Sequence, residues 1–261
     1  MKYILLLISL VVSFELAAQD VSLDDLRNLK ADFEKKYSIT LFIEQTPFSI
    51  SKFESKVITK EFYQDLYEYM IILDEEMSKY PLKFLWKTRL RAIALVRSLI
   101  YNYQLRGAIP DYGREILFFD ILNGSDFEIY QRHVIHHEFY HMIEQELNGS
   151  SHWKDPVWKS YNRPDFNYGK GGATMQKNAN ASVFSHPQIG FMNLYSQSGL
   201  EEDKAEIFAS LFIKQEYSKL KKWAKKDKIL KNKMDYMMNF LIQNNKDFNP
   251  SYWDKLHSQA K

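Results

Sequence analysis

The sequence predicts an α+β fold, a small mixed sheet packed on one central helix, followed by a mostly helical C-terminal half. Three observations carry this. Two runs rich in β-branched and aromatic residues, 38–44 and 115–121, read as strands in the first 122 residues. Apolar residues recur at helical spacing in 23–36, 61–79 and much of 198–243. Between them stands a histidine-rich stretch, His133 to His141, whose helical periodicity continues to Leu147.

Taken in order, Leu23 to Lys36 places Leu26, Leu29 and Phe33 on one helical face, and Ser38 to Glu44 follows as a strand. Glu61 to Lys79 is a second amphipathic helix, stopped by Pro81. Leu90 to Leu99 carries Ile93, Leu95 and Val96 and is expected to be a strand over its first half. Gly107 to Gly113, punctuated by glycine, proline and aspartate, is expected to be a loop. Glu115 to Ile121 is then a strand, expected at the sheet edge. Ser125 to Glu128 fits a capping box opening the histidine helix, which should stop at Asn148-Gly149. The irregular stretch from Ser150 to Phe191 is rich in glycine and proline, and its aromatics, Trp153, Trp158, Tyr161, Phe166 and Tyr168, argue for packing. Ser198 to Glu201 is a second capping box, and Lys219 to Gln243 reads as one lysine-dense helix with an apolar stripe and a solvated lysine face.

The chain of 261 residues, 45% of them hydrophobic, suffices for one domain over 19–261, an α/β part to 122 and a helical part from 123. With 35 basic against 33 acidic residues, the balance does not favour nucleic acid as a partner. Lys2, the apolar run from Tyr3 to Phe14 and Ala17-Ala18 form a signal-peptide pattern with cleavage expected after Ala18, hence export to the periplasm or beyond. No other stretch is long and apolar enough to be a transmembrane segment. With no cysteine there is no disulfide framework, thiolate metal site or N-terminal lipidated cysteine, and export without disulfides suits a bacterial envelope. The sequons at Asn123, Asn148 and Asn180 matter only in a glycosylating host.

His137, Glu138 and His141 form the pattern H-E-x-x-H. Residues four apart on a helix are offset by about 40°, so both imidazoles can reach one Zn²⁺, and Glu138, about 100° from His137, is placed as a general base. Ile135, Phe139 and Met142 form the apolar anchor on the far side. His133, one turn earlier, is too distant to join the same tetrahedral ion and is read as structural or supporting, with His136 as a flank. A catalytic zinc takes three protein ligands and keeps one open position. A third histidine in the form H-E-x-x-H-x-x-G-x-x-H is excluded, because Glu144 and Leu147 occupy those places. Two sources remain, the acidic helix segment Glu202-Asp203-Lys204-Ala205-Glu206 and Asp165 in Asp165-Phe166-Asn167-Tyr168-Gly169; the simpler role for Asp165 is a turn residue after Pro164.

H-E-x-x-H followed by E-D-x-A-E-x-F-A resembles the gluzincin metallopeptidases, especially secreted bacterial zinc metallopeptidases of the Bacteroidetes type, and more distantly the catalytic domain of anthrax lethal factor. The segment from Trp158 to Gly169 also resembles the W…N-P…F-x-Y-G loop of the bacterial group, and the likeness spans about residues 110–215. The resemblance implies a zincin-like fold, hydrolysis of a peptide or protein substrate, Glu206 as third zinc ligand and Tyr195 facing the metal. Tyr195 stands eleven residues before Glu206, a wider gap than in lethal factor, and Tyr168 is the fallback for stabilising the oxyanion. Glu202 or Asp203 would accept the free N–H of a ligand imidazole. Two rivals remain, a zinc-retaining binding protein of the envelope without catalysis, against which the intact Glu138 argues, and a peptidase with Asp165 as third ligand.

Overall fold

The computed structural model describes residues 20–45, 53–175 and 177–259. The signal-peptide pattern lies outside them. The chain opens with α1 (Leu23–Tyr37), started by a reciprocal hydrogen-bond pair between Ser22 and Asp25 and ended by Ser38 at φ 59°. Then come β1 (Thr40–Phe42), β2 (Phe53–Lys56), α2 (Tyr63–Met77), α3 (Leu82–Lys87), β3 (Ala92–Tyr101), β4 (Gln104–Leu105), β5 (Ala108–Asp111) and β6 (Ile116–Asp120). The helical half holds α4 (Glu128–Asn148), α5 (Pro156–Tyr161), α6 (Leu200–Phe212), α7 (Lys214–Ala224), α8 (Lys228–Asn244) and α9 (Pro250–Gln259). Among the described residues no helix is long and apolar enough to cross a membrane.

The main sheet runs in the order β1-β3-β6-β5, with β1, β3 and β6 parallel and β5 antiparallel to β6. The mixed sheet is as expected, but two placements are corrected. The 107–113 stretch is not wholly loop, since it contains β5. The run 115–121 is not an edge, because β6 has neighbours on both sides. Every residue of Ile116–Asp120 is buried, the continuous burial of a strand covered on both faces. Pro110 suits the edge instead. Asp120 N–H donates to Gly107 O at 2.8 Å, and ladder alternation from that pair turns the position of Pro110 away from β6, where a missing N–H costs no bond. β3 is also longer than expected, because its far end pairs with β2 and β4.

One large core cluster joins α1, α2 and one sheet face (Leu41, Ile93, Leu95, Leu117, Phe119) to α4, α6 and α8, so both halves share an interior. A smaller cluster of Phe53, Ala94, Val96 and Phe118 lines the other sheet face. Neither expected capping box forms. Ser125 Oγ donates to Leu122 O at 3.2 Å, and Phe127 is the N-cap of α4 after a turn on Gly124, whose φ of 75° and contact with the Tyr130 ring leave no room for a side chain. Ser198 Oγ donates to Tyr195 O at 2.7 Å, so its hydroxyl is engaged in the preceding turn and Gly199 is the N-cap of α6. The lysine-dense helix is two helices, split at Asp227, which caps α8 through Leu230 N–H at 3.0 Å and also accepts from Gly190 N–H at 2.5 Å.

His136 is no flank. It is fully buried on the back of α4, with Nε2 2.5 Å from Glu76 Oε2 and Nδ1 against the Tyr80 hydroxyl. Burial alone would raise the pKa of Glu76, but bonds to His136 and Lys79, with Arg132 on its other oxygen, hold it at about 2. A carboxyl depressed by folding stabilises the native state fully above its unfolded pKa, near 4.5, and loses that contribution as pH falls towards 2. Urea unfolding followed by tryptophan fluorescence should therefore show a steeper loss of stability between about pH 5 and pH 3 in the parent than in E76Q. Equal slopes would remove Glu76 as the acid-sensitive group.

Candidate active site

Helix α4 lies between the sheet and α6, and its 3.6-residue period puts His133, His137 and His141 in line on the face turned towards α6. Ile135, Phe139 and Met142 anchor the opposite side and are almost wholly buried. From α6, Glu202 and Glu206, one turn apart, straddle the His137 ring. Glu202 Oε2 lies 3.0 Å from His137 Nε2 and 3.5 Å from His141 Nε2, and the two Nε2 atoms are 3.2 Å apart. Glu206 Oε1 lies 3.1 Å from the other nitrogen, His137 Nδ1, and 3.1 Å from His133 Nε2.

Two groups of potential ligands therefore share His137. The H-E-x-x-H histidines converge with Glu202, whereas Glu206 groups with His133 and His137. The expected set of His137, His141 and Glu206 does not assemble around one point. Burial works against ionising either carboxylate, but hydrogen bonds from the imidazoles hold both well below the ordinary range. The same carboxylates raise the proton affinity of His137 against the effect of burial. An environment that attracts a proton so strongly also attracts a metal cation. His133 has a carboxylate on each ring nitrogen: burial would lower its pKa, yet Glu216 at 2.8 Å on Nδ1 and Glu206 on Nε2 raise it to about 10, so both its nitrogens are engaged by side chains.

Glu138 points into a groove made of two hollows, about 640 and 530 Å³, which meet at Arg106, Ala108, His137, Glu138 and Tyr195. Burial raises the Glu138 pKa, and the charges of His137 and His141 oppose that rise. Tyr195, in the 3-10 turn Tyr195–Gln197, packs its ring 5.7 Å from that of His137. A Cβ at Gly172 would meet the Tyr195 hydroxyl and Glu202 Oε1, and Gly172 N–H donates to the same Glu202 oxygen at 3.2 Å. Gly172 is therefore a close-approach position.

One further expectation is corrected, and the two fallback residues lie away from the site. Asp203 touches no ligand imidazole. The 100° step from Glu202 turns it into the core, where its Oδ2 accepts from Trp158 Nε1 at 2.8 Å and Tyr168 at 2.6 Å and pairs with buried Lys233 at 2.7 Å. The Tyr168 hydroxyl is thereby committed to Asp203 and Asn162 and does not serve the groove. Asp165 is exposed and paired with Arg163, in no potential ligand group among the described residues. Arg106, Asn193 and Glu216 were not singled out by sequence. Asn193 donates to Glu206 Oε2 at 2.5 Å, and nothing local distinguishes it from other loop asparagines.

The family model for "putative zinc-binding metallo-peptidase" matches residues 50–257. The chain belongs to this family. Its fold is similar to the crystal structure of a "putative zinc-binding metallo-peptidase" from Bacteroides caccae ATCC 43185, with a TM-score of 0.60 and 17% identity over 92% of this chain and 94% of that one. Among curated proteins there is no match. Membership in a zinc-binding metallo-peptidase family can be tested against the side chains themselves. Two imidazole nitrogens and a carboxylate oxygen lie within 4.8 Å of one another, the donor types and number of a catalytic zinc site. The hollows beside His137 and Glu138 leave the fourth side open. The residues fit the ion.

Proposed function

We propose that the chain is an exported zinc-dependent peptidase of the gluzincin type, with His137, His141 and Glu202 as zinc ligands. The observation that carries the assignment is the convergence of both Nε2 atoms on Glu202 rather than Glu206. Glu206 then takes the supporting place, accepting the His137 Nδ1–H and fixing its tautomer. The zincin-like packing, the distant likeness to lethal factor, the single domain over 19–261 and cleavage of the leader after Ala18 belong to the same proposal. The core shared by both halves supports its domain part.

Zinc, when bound, supplies the Lewis acidity that polarises the scissile carbonyl and brings the pKa of a water molecule to about 7. Glu138, in the groove beside His137, would accept a proton from the attacking water and pass it to the leaving amine, and a pKa raised by burial suits both transfers. Tyr195 stands beside His137 with its hydroxyl protonated, since burial and Glu202 push its pKa well up. It is the hydrogen-bond donor for the tetrahedral oxyanion. The substrate is an extended peptide laid along β5. The ladder alternation turns the N–H and C=O of Ala108 and the C=O of Pro110 away from β6, free to pair with another strand. Because the groove continues on both sides of Glu138, it favours cuts within a chain over trimming of its ends.

Metal analysis of the purified chain should give one zinc per molecule. A strong chelator should abolish cleavage of a mixed peptide library, and added zinc should restore it. Cleavage that survives complete removal of the metal would sink the proposal.

A further inference from the structure

Behind the zinc-facing side of His137 runs a buried line of charged side chains, of which two, His133 and Glu216, have no part in the proposed chemistry. Glu216, in the first turn of α7, places Oε2 2.8 Å from His133 Nδ1. His133, on α4, places Nε2 3.1 Å from Glu206 Oε1 on α6, and the same oxygen lies 3.1 Å from His137 Nδ1. All four side chains are at least nine-tenths buried. Asn193 steadies the second Glu206 oxygen, and Ser210 Oγ donates to Glu216 at 3.3 Å.

With a carboxylate on each nitrogen, the His133 ring donates in both directions. We infer that His133 and Glu216 are positioning residues for the metal site, acting on His137 through Glu206. A His133 cation facing Glu206 alone would neutralise that carboxylate and compete with His137 for its one shared oxygen. Glu216 on the far nitrogen balances His133, so the line keeps a net negative charge and Glu206 can place it on His137. A carboxylate behind a ligand imidazole fixes the ring and makes its other nitrogen a better donor. The line also ties α7, which carries no proposed ligand, to the centre between α4 and α6.

The inference rests on the zinc reading, and the test separates the two. Zinc affinity of the full chain is measured by competition with a chromophoric chelator for the parent, E216Q, E206Q and the double variant, with the melting midpoint of each metal-free protein alongside. E216Q should bind zinc about tenfold more weakly than the parent, and E216D should recover part of the loss. In the E206Q background, E216Q should add no further loss, because the intermediary is gone. Unchanged zinc affinity in E216Q, or the same tenfold loss with and without Glu206, overturns the inference and leaves the zinc reading standing. A parent chain that takes up no zinc overturns both. Should E216Q not fold, H133Q replaces it in the same cycle. The side-chain amide of that variant keeps a donor for Glu206 but breaks the link to Glu216, and unchanged affinity there is equally decisive.

Discussion

E202Q is expected to strip the protein of zinc, whereas E206Q is expected only to weaken binding. Glu202 is the carboxylate that meets both Nε2 atoms, and an amide in its place removes the ligand charge and leaves two imidazoles. A full four-ligand structural zinc site is worth roughly 10–16 kcal/mol, so one ligand accounts for about 3 kcal/mol, more than a hundredfold in affinity. In E206Q the new side chain still offers an amide oxygen to His137 Nδ1–H, and the loss should stay at about tenfold. Chelator competition on the two variants gives the ranking directly. If E206Q loses the metal and E202Q keeps it, Glu206 is the ligand and the carboxylates move on binding.

E138Q should have the largest effect on turnover with the least effect on anything else. Glu138 makes no side-chain bond among those described, so the amide disturbs neither fold nor ligands, but it cannot accept a proton. General acid–base catalysis contributes about 10²–10⁴-fold, and kcat/KM on a cleaved library peptide should fall by that order while zinc content and melting midpoint stay at parent values. Activity within a few-fold of the parent would remove Glu138 as the base. A fall accompanied by zinc loss would make its role structural.

Much of the site was legible because its spacing is local. The i, i+4 pair of His137 and His141, the adjacent Glu138 and the apolar anchor of Ile135, Phe139 and Met142 follow from helical periodicity alone. His136 misled because its partners, Glu76 and Tyr80, come from the N-terminal part of the chain, and sequence cannot pair residues 56–60 apart. The serines at 125 and 198 matched a capping pattern, yet each hydroxyl found a carbonyl in the preceding turn, a competition that only backbone geometry resolves.

By itself the sequence determined helices α1, α2, α4 and α6, the strands around 40–42 and 116–120, and the identities of the three residues that define the motif, since each depends on contacts within one or two turns. Tertiary structure decided which carboxylate meets which nitrogen. Glu202 and Glu206 share one face of α6 and differ by one turn, about 6 Å along the axis, so a slide of α6 along α4 by that distance would exchange their roles. It also decided that β5, with its proline, is the free edge and β6 the interior strand. Periodicity fixes which face a side chain occupies, but the axial offset of two packed helices and the order of strands are set by the whole core.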